Sequence, residues 1–187
     1  MELDLFKLSV DERVHDPAVP VGVFAEITKE MLTEEGCHAL HEVSLQFAIQ
    51  DAERVQYPDY LEHPLPLLST RLKLLVEKFC PRMKFFAVRL LDLRRKHSQT
   101  YWLMIPPRVG CLSAESEFRP DGALRRLVVE GEQLNSWMLF QVAGIAETQI
   151  LVHLALAESL LRRDFDGIRL TRVERAGTGS SEAAYGS

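Results

Sequence analysis

The chain has 187 residues, 47% apolar and 26% charged, with a formal net charge of −5. That length lets a chain bury roughly 70% of its unfolded surface, and the composition excludes wholesale disorder. The opening MELDLFKLSV carries acids and no long apolar run, which reads as neither a secretory signal nor a membrane span, so a folded cytoplasmic protein is expected.

Leu3, Leu5, Leu8 and Val10 predict a first strand, broken by Asp11-Glu12-Arg13. HDPAVP at 15–20 predicts a loop, because two prolines remove donors and disfavour helix before them. Residues 21–24 read as another short strand. Helix is expected within 29–55, broken in two at Gly36, with Leu40, Val43, Phe47, Ala48 and Val55 on the buried stripe. The capping box at Thr28 is incomplete, since Met31 follows where a Glu would close it. YPDYLEHPLP at 57–66 carries three prolines and two tyrosines, which marks the expected internal boundary. Residues 1–62 then form an acidic, partly helical N-terminal region, 63–175 an α+β domain, and 176–187 a small polar tail.

Beyond the boundary, Ser69 or Thr70 caps a helix with Leu72, Leu75, Val76 and Phe79 on one face, and Cys80-Pro81 stops it. MKFFAVRLLDL and TYWLMI predict a hairpin through the basic turn RRKHSQ. A short apolar run at 109–112, the polar loop AESEFRPDG, a strand at 124–129, a turn at 130–136 and the strand WMLFQV follow. QILVHLALAESLLRRDFDGIRLTRV at 149–173 reads strand, helix, turn, strand. Its helix has His153 as polar cap, Leu156, Ala157 and Leu160 inside, and Arg162-Arg163 at the end where cations suit the dipole. The order apolar run, helix, strand also occurs in LLSTRLKLLVEK followed by KFFAVRL, a faint internal repeat. The expected fold is α+β: a mostly antiparallel sheet over about 84–173, the helices beginning at Thr70 and Leu154 packed on it, and the acidic helical region at one side.

The net charge hides an asymmetry. Residues 1–62 hold fourteen Asp/Glu against four Lys/Arg, a balance of −10, and the remainder thirteen against eighteen, a balance of +5. Such a split suits a basic partner on the acidic side, or complementarity between the two parts. The three cysteines, Cys37, Cys80 and Cys111, are far apart and read as buried free thiols. Cys37 and His41 share a helix face at i, i+4, but no second cluster completes a metal set, so no metal or other cofactor is expected. Glu115 and Glu117 with Asp121 could hold a cation as a hydrolase would, or simply share one solvated face. The clusters Arg94-Arg95-Lys96 and Arg125-Arg126 lack interleaved aromatics in a chain of pI 5.7, which argues against direct nucleic-acid binding. No phosphate-loop, nucleophile-elbow or HExxH motif occurs.

In order from His63, PLLSTRLKLLVEK, KFFAVRLL, TYWLMIPPRVGCLSAESE, LRRLVVEGEQLNSWMLFQVAG and the 149–173 stretch resemble the eleventh family of polymorphic-toxin immunity proteins, formerly a domain of unknown function. The resemblance covers about 63–174 and rests on Ser69, Tyr101, the CLSAESE segment, Phe140 and Gly167, with Ser113 where the family commonly carries Asp. It implies a bacterial cytoplasmic protein of antibacterial competition, as in type VI secretion. Such a protein binds and neutralises a cognate toxin encoded by a neighbouring gene, often a nuclease, without catalysis, cofactor or membrane. A homodimer is compatible with it. The expected toxin-binding residues are Glu26, Glu30, Glu34, Glu35, Glu42, Asp51 and Glu53, acids of the N-terminal region outside the matched stretch. The readings set against it are the metal-dependent hydrolase and a structural adapter or regulator.

Overall fold

The computed structural model describes residues 4–177. Two five-stranded sheets organise the chain. One has the order β2 (Gln46–Ala48), β5 (Lys84–Asp92), β6 (His97–Ile105), β4 (Leu67–Leu68) and β3 (Tyr60–Leu61). The other runs β13 (Ile168–Arg172), β1 (Leu5–Val10), β12 (Ile150–His153), β11 (Leu139–Val142) and β7 (Arg108–Val109). Two-stranded ladders join β8 (Glu117–Phe118) to β9 (Leu124–Arg126) and β10 (Val128–Val129) to β14 (Glu174–Arg175). Within the large sheets only the β2–β5 and β7–β11 pairs are parallel. The mostly antiparallel α+β fold expected from the sequence is present, built as two sheets where one was expected.

The repeat legible in the sequence is a topological one. β4 and β5 are both antiparallel to β6, and the helix α2 (Thr70–Phe79) connects them. β12 and β13 are both antiparallel to β1, and the helix α3 (Leu154–Leu161) connects those. Each unit is therefore strand, helix, parallel strand, with one antiparallel strand inserted between. In the first unit the inserted strand follows in sequence; in the second it comes from the N-terminus.

Period-two burial assigns each sheet two faces. In β12, Ile150 and Val152 face a central core that also holds Leu72, Leu75, Leu156 and Leu160 of both helices, while Leu151 faces an outer core with Phe140 and Leu5. On the other sheet, Val88, Leu90, Tyr101 and Leu103 pack against Ile27, Leu40 and Phe47 of the N-terminal segment, and Met104 turns to the helices. The helices thus share one apolar cluster with residues of both sheets. Ser69 caps α2 by accepting from the Leu72 amide at 3.2 Å, and His153 Nδ1 caps α3 by accepting from the Ala155 amide at 3.2 Å.

The N-terminal region is not the acidic helical segment the sequence suggested. Residues 21–24 are not a strand, and helix α1 is one turn, Val23–Glu26. The rest is two 3-10 segments, Glu30–Leu32 and Cys37–Glu42, followed by β2. Local side-chain bonding competes with the helix: Thr33 Oγ1 donates to the Glu30 carbonyl at 2.7 Å and accepts from the Gly36 amide at 3.1 Å. Gly36 does mark the break, because a Cβ there would stand 2.1 Å from the Glu30 carbonyl oxygen. Phe47, assigned to a helical stripe, is buried instead by strand pairing of β2 with β5. The boundary read at 62/63 falls between β3 and β4, two strands paired to each other.

Candidate functional site

The expected binding surface is set by what the N-terminal segment buries. Val23, Ile27, Cys37 and Leu40 point into the core beneath the first sheet, so the polar residues between them face water. Glu26, Glu30, Glu34, Glu35, Glu42, Asp51 and Glu53 are all exposed. Lys84 Nζ donates to the Glu34 carbonyl at 3.1 Å, while Asp51 pairs with Arg94 at 3.3 Å across the far end of the β5–β6 hairpin. Since β5 has nine residues, these ends stand roughly 27 Å apart at about 3.4 Å per residue. The seven acids therefore spread as an exposed rim over the N-terminal segment and do not converge on one point.

Part of the charge asymmetry is satisfied internally. Asp4 pairs with Arg172 at 2.6 Å, Glu12 with Arg169, Asp59 with Arg71 at 2.5 Å and Asp51 with Arg94. Arg95 is also consumed: it pairs with buried Asp92 at 2.8 Å and donates to the Ala52 and Glu53 carbonyls. By contrast, Glu26, Glu34, Glu35, Glu42 and Glu53 enter no ion pair among the described residues. Glu30 is held below the ordinary carboxylate range, chiefly by a hydrogen bond from Thr28.

The carboxylates weighed for a hydrolase serve the β8–β9 hairpin. Glu117 lies 3.4 Å from Arg126 and 3.8 Å from Arg125, and Asp121 accepts from the Ala123 amide at 3.0 Å in the turn that Gly122 closes. Glu115 is exposed. The preceding serines are structural: Ser116 Oγ donates to the Val128 carbonyl at 2.8 Å and accepts from its amide at 3.0 Å, and Ser113 Oγ accepts from the Glu115 amide. Among the described residues no group of three His, Cys, Asp or Glu side chains is placed to hold a metal ion. Cys37 is buried with its thiol toward the Glu34 carbonyl, and the His41 ring lies tilted against Phe86, centroids 5.0 Å apart. Burial pushes the Cys80 and Cys111 thiols up to about 11, which suits packing and not nucleophilic chemistry.

The best-built polar cluster went unread in the sequence. Asp59, 5% exposed, accepts from Ser69 Oγ at 2.5 Å, Arg71 Nε at 2.8 Å and the Asp166 amide at 2.6 Å. Its own amide donates to the Asp166 carbonyl and its carbonyl accepts from the Ser69 amide. Arg71 continues to the Asp164 carbonyl at 2.5 Å and lies 4.9 Å over the Phe165 ring. Gly167, at φ 69°, closes the turn, and a Cβ there would stand 2.4 Å from Pro58 Cβ. Next to it Tyr101 donates to the Pro58 carbonyl at 2.7 Å. One carboxylate thus ties the start of α2 to the turn after α3. The only sequence signal for it is an Asp beside a proline-rich stretch, which states no partner.

No protein-family model matches the chain, and no curated protein matches it significantly. No helix among the described residues is long and apolar enough to cross a membrane.

Proposed function

We propose that the chain is an immunity protein: a cytoplasmic, stoichiometric inhibitor that binds and neutralises a cognate toxin encoded by a neighbouring gene. The observation that carries this reading is the rim of unpaired carboxylates. Glu26, Glu34, Glu35, Glu42 and Glu53 lie exposed on the N-terminal segment, whose core-facing residues pack it against the first sheet, and internal cations leave them free. A surface that keeps like charges unneutralised accelerates association with a basic partner and orients it on approach. A nuclease, whose groove takes phosphates, is such a partner.

The residues that carry the family resemblance agree with a scaffold role. Ser69 caps a helix, Tyr101 and Phe140 are buried, Gly167 fills a left-handed turn, and the serines of CLSAESE pin a loop. None of them converges on a reacting group. On this reading β5, β6 and the helices hold the rim in place, and the rim with its flanking 3-10 turns selects the toxin.

Co-expression of the chain with the product of the adjacent gene tests the proposal. A complex that co-purifies at fixed stoichiometry and abolishes the toxicity of that product is the expected outcome. Failure to associate, with toxicity unchanged, overturns it.

A further inference from the structure

An open cleft of ≈ 420 Å³ lies beside the segment that carries Glu26 and Glu30, within the roughly 300–1,000 Å³ of clefts that hold small molecules. Met104 of β6 and Val142 of β11 contribute to its lining, so it sits where the two sheets meet. One wall is the connection 143–148; the other is formed by residues of 24–32 and the loop 63–66.

The chemistry of the lining is one-sided. Lys29, His63 and Arg108 line it, with Glu147 the one acid. Glu147 is already engaged: Oε1 accepts from the Leu124 amide at 3.1 Å and Oε2 from Gln149 Nε2 at 3.3 Å. Lys29 and His63 enter no ion pair among the described residues, and Arg108 makes a single long bond, donating to the Leu32 carbonyl at 3.4 Å. Glu30, next to Lys29 in sequence, does not line the cleft. Arg108, in no ion pair among the described residues, and Lys29, whose charge acts on the Glu30 carboxylate, are set against apolar wall: Phe24, 59% exposed, with Leu32 and Ile145. An aromatic ring left in water beside a basic recess leaves both kinds of surface unsatisfied.

We infer that this cleft binds a small organic anion, a carboxylate or phosphate head on an apolar body, with the head toward Arg108 and Lys29 and the body against Phe24. Arg108 is suited to the head because its planar fork grips either oxyanion through two bonds. The site is distinct from the proposed toxin-binding carboxylates, none of which lines it, and is joined to them through the segment between Phe24 and Leu32. Ligand in the cleft would steady that segment, and with it Glu26 and Glu30.

Titration of the full chain with phenylacetate, phenyl phosphate and uncharged phenylacetamide, followed by amide chemical shifts, tests this. Saturable shifts at Phe24, Lys29, Leu32, Arg108 and Ile145 with either anion are expected, and the tighter anion identifies the head group. Arg108→Gln and Lys29→Gln, both on exposed side chains, are each expected to weaken binding, the former at least about tenfold for a lost charge-assisted bond. Arg94→Gln, on the far hairpin, is expected to leave it unchanged. No saturable shift with either anion, equal binding of phenylacetamide, or full affinity in Arg108→Gln overturns the inference.

Discussion

Asp59 shows how a single carboxylate holds two distant turns. Burial opposes its ionisation, but hydrogen bonds from Arg71, Ser69 and the Asp166 amide, with the Arg71 charge, outweigh burial and hold its pKa below the ordinary 3.8. A group depressed in the native state contributes stability that is fully present above its unfolded value and is lost as pH falls through the native one. Asp59→Asn is therefore expected to cost about 2–3 kcal/mol near pH 7, by urea unfolding, with the gap to wild type closing once pH drops below 3.8. A gap that stays constant from neutral pH to pH 3 would contradict this account. Gly167→Ala must place a Cβ 2.4 Å from Pro58 Cβ at a positive φ, and is expected to cost about 1–3 kcal/mol.

At the scale of elements, the two helices are held by caps and by the core they share. Leu160 is 4% exposed in the central cluster, so Leu160→Ala is expected to cost about 2–5 kcal/mol in the same unfolding assay. A much smaller loss would place α3 at the periphery. Ser69→Ala removes both a cap and a bond to Asp59. Its cost should reach the upper end of the usual ~0.5–2 kcal/mol for a lost cap and be non-additive with Asp59→Asn.

These two helices were legible because their signals are local: a capping Ser or His, apolar residues at i, i+3, i+4, and a Pro or Asp-Gly stop. The β5–β6 hairpin was legible for the same reason. The N-terminal segment was not. Its apolar residues Leu40, Val43 and Phe47 are spaced as a helix would space them, yet Phe47 is buried by pairing with a strand that comes some forty residues later. The Thr33 hydroxyl and the crowding at Gly36 then hold the preceding turns tight. The insertion of β1 between β12 and β13 is likewise a long-range pairing with no local mark. The Asp59 cluster has no local mark either, because its donors come from residues 69, 71 and 166, which only the fold brings together.

For the molecule as a whole, the strand-helix-strand arrangement that occurs twice explains how this chain supports two sheets on one central core. The charge split resolves into two parts. One is internal, in the pairs of Asp4, Glu12, Asp51 and Asp59 with arginines of the later chain. The other faces outward as the rim, the surface proposed for partner recognition. Steering by such a surface acts over the Debye length, about 10 Å at 0.1 M salt, so its signature is an association rate that falls as salt rises.

The most direct measurement is the association rate of the adjacent gene product with wild type and with a variant carrying Glu26→Lys, Glu34→Lys, Glu35→Lys and Glu42→Lys. All four side chains are exposed and unpaired, so the fold is expected to persist by circular dichroism. The variant is expected to associate at least about tenfold more slowly at low ionic strength, with the difference shrinking towards 0.5 M salt. Equal rates at low salt, or no binding by the wild-type chain, would contradict the assignment of the rim as the toxin-binding surface.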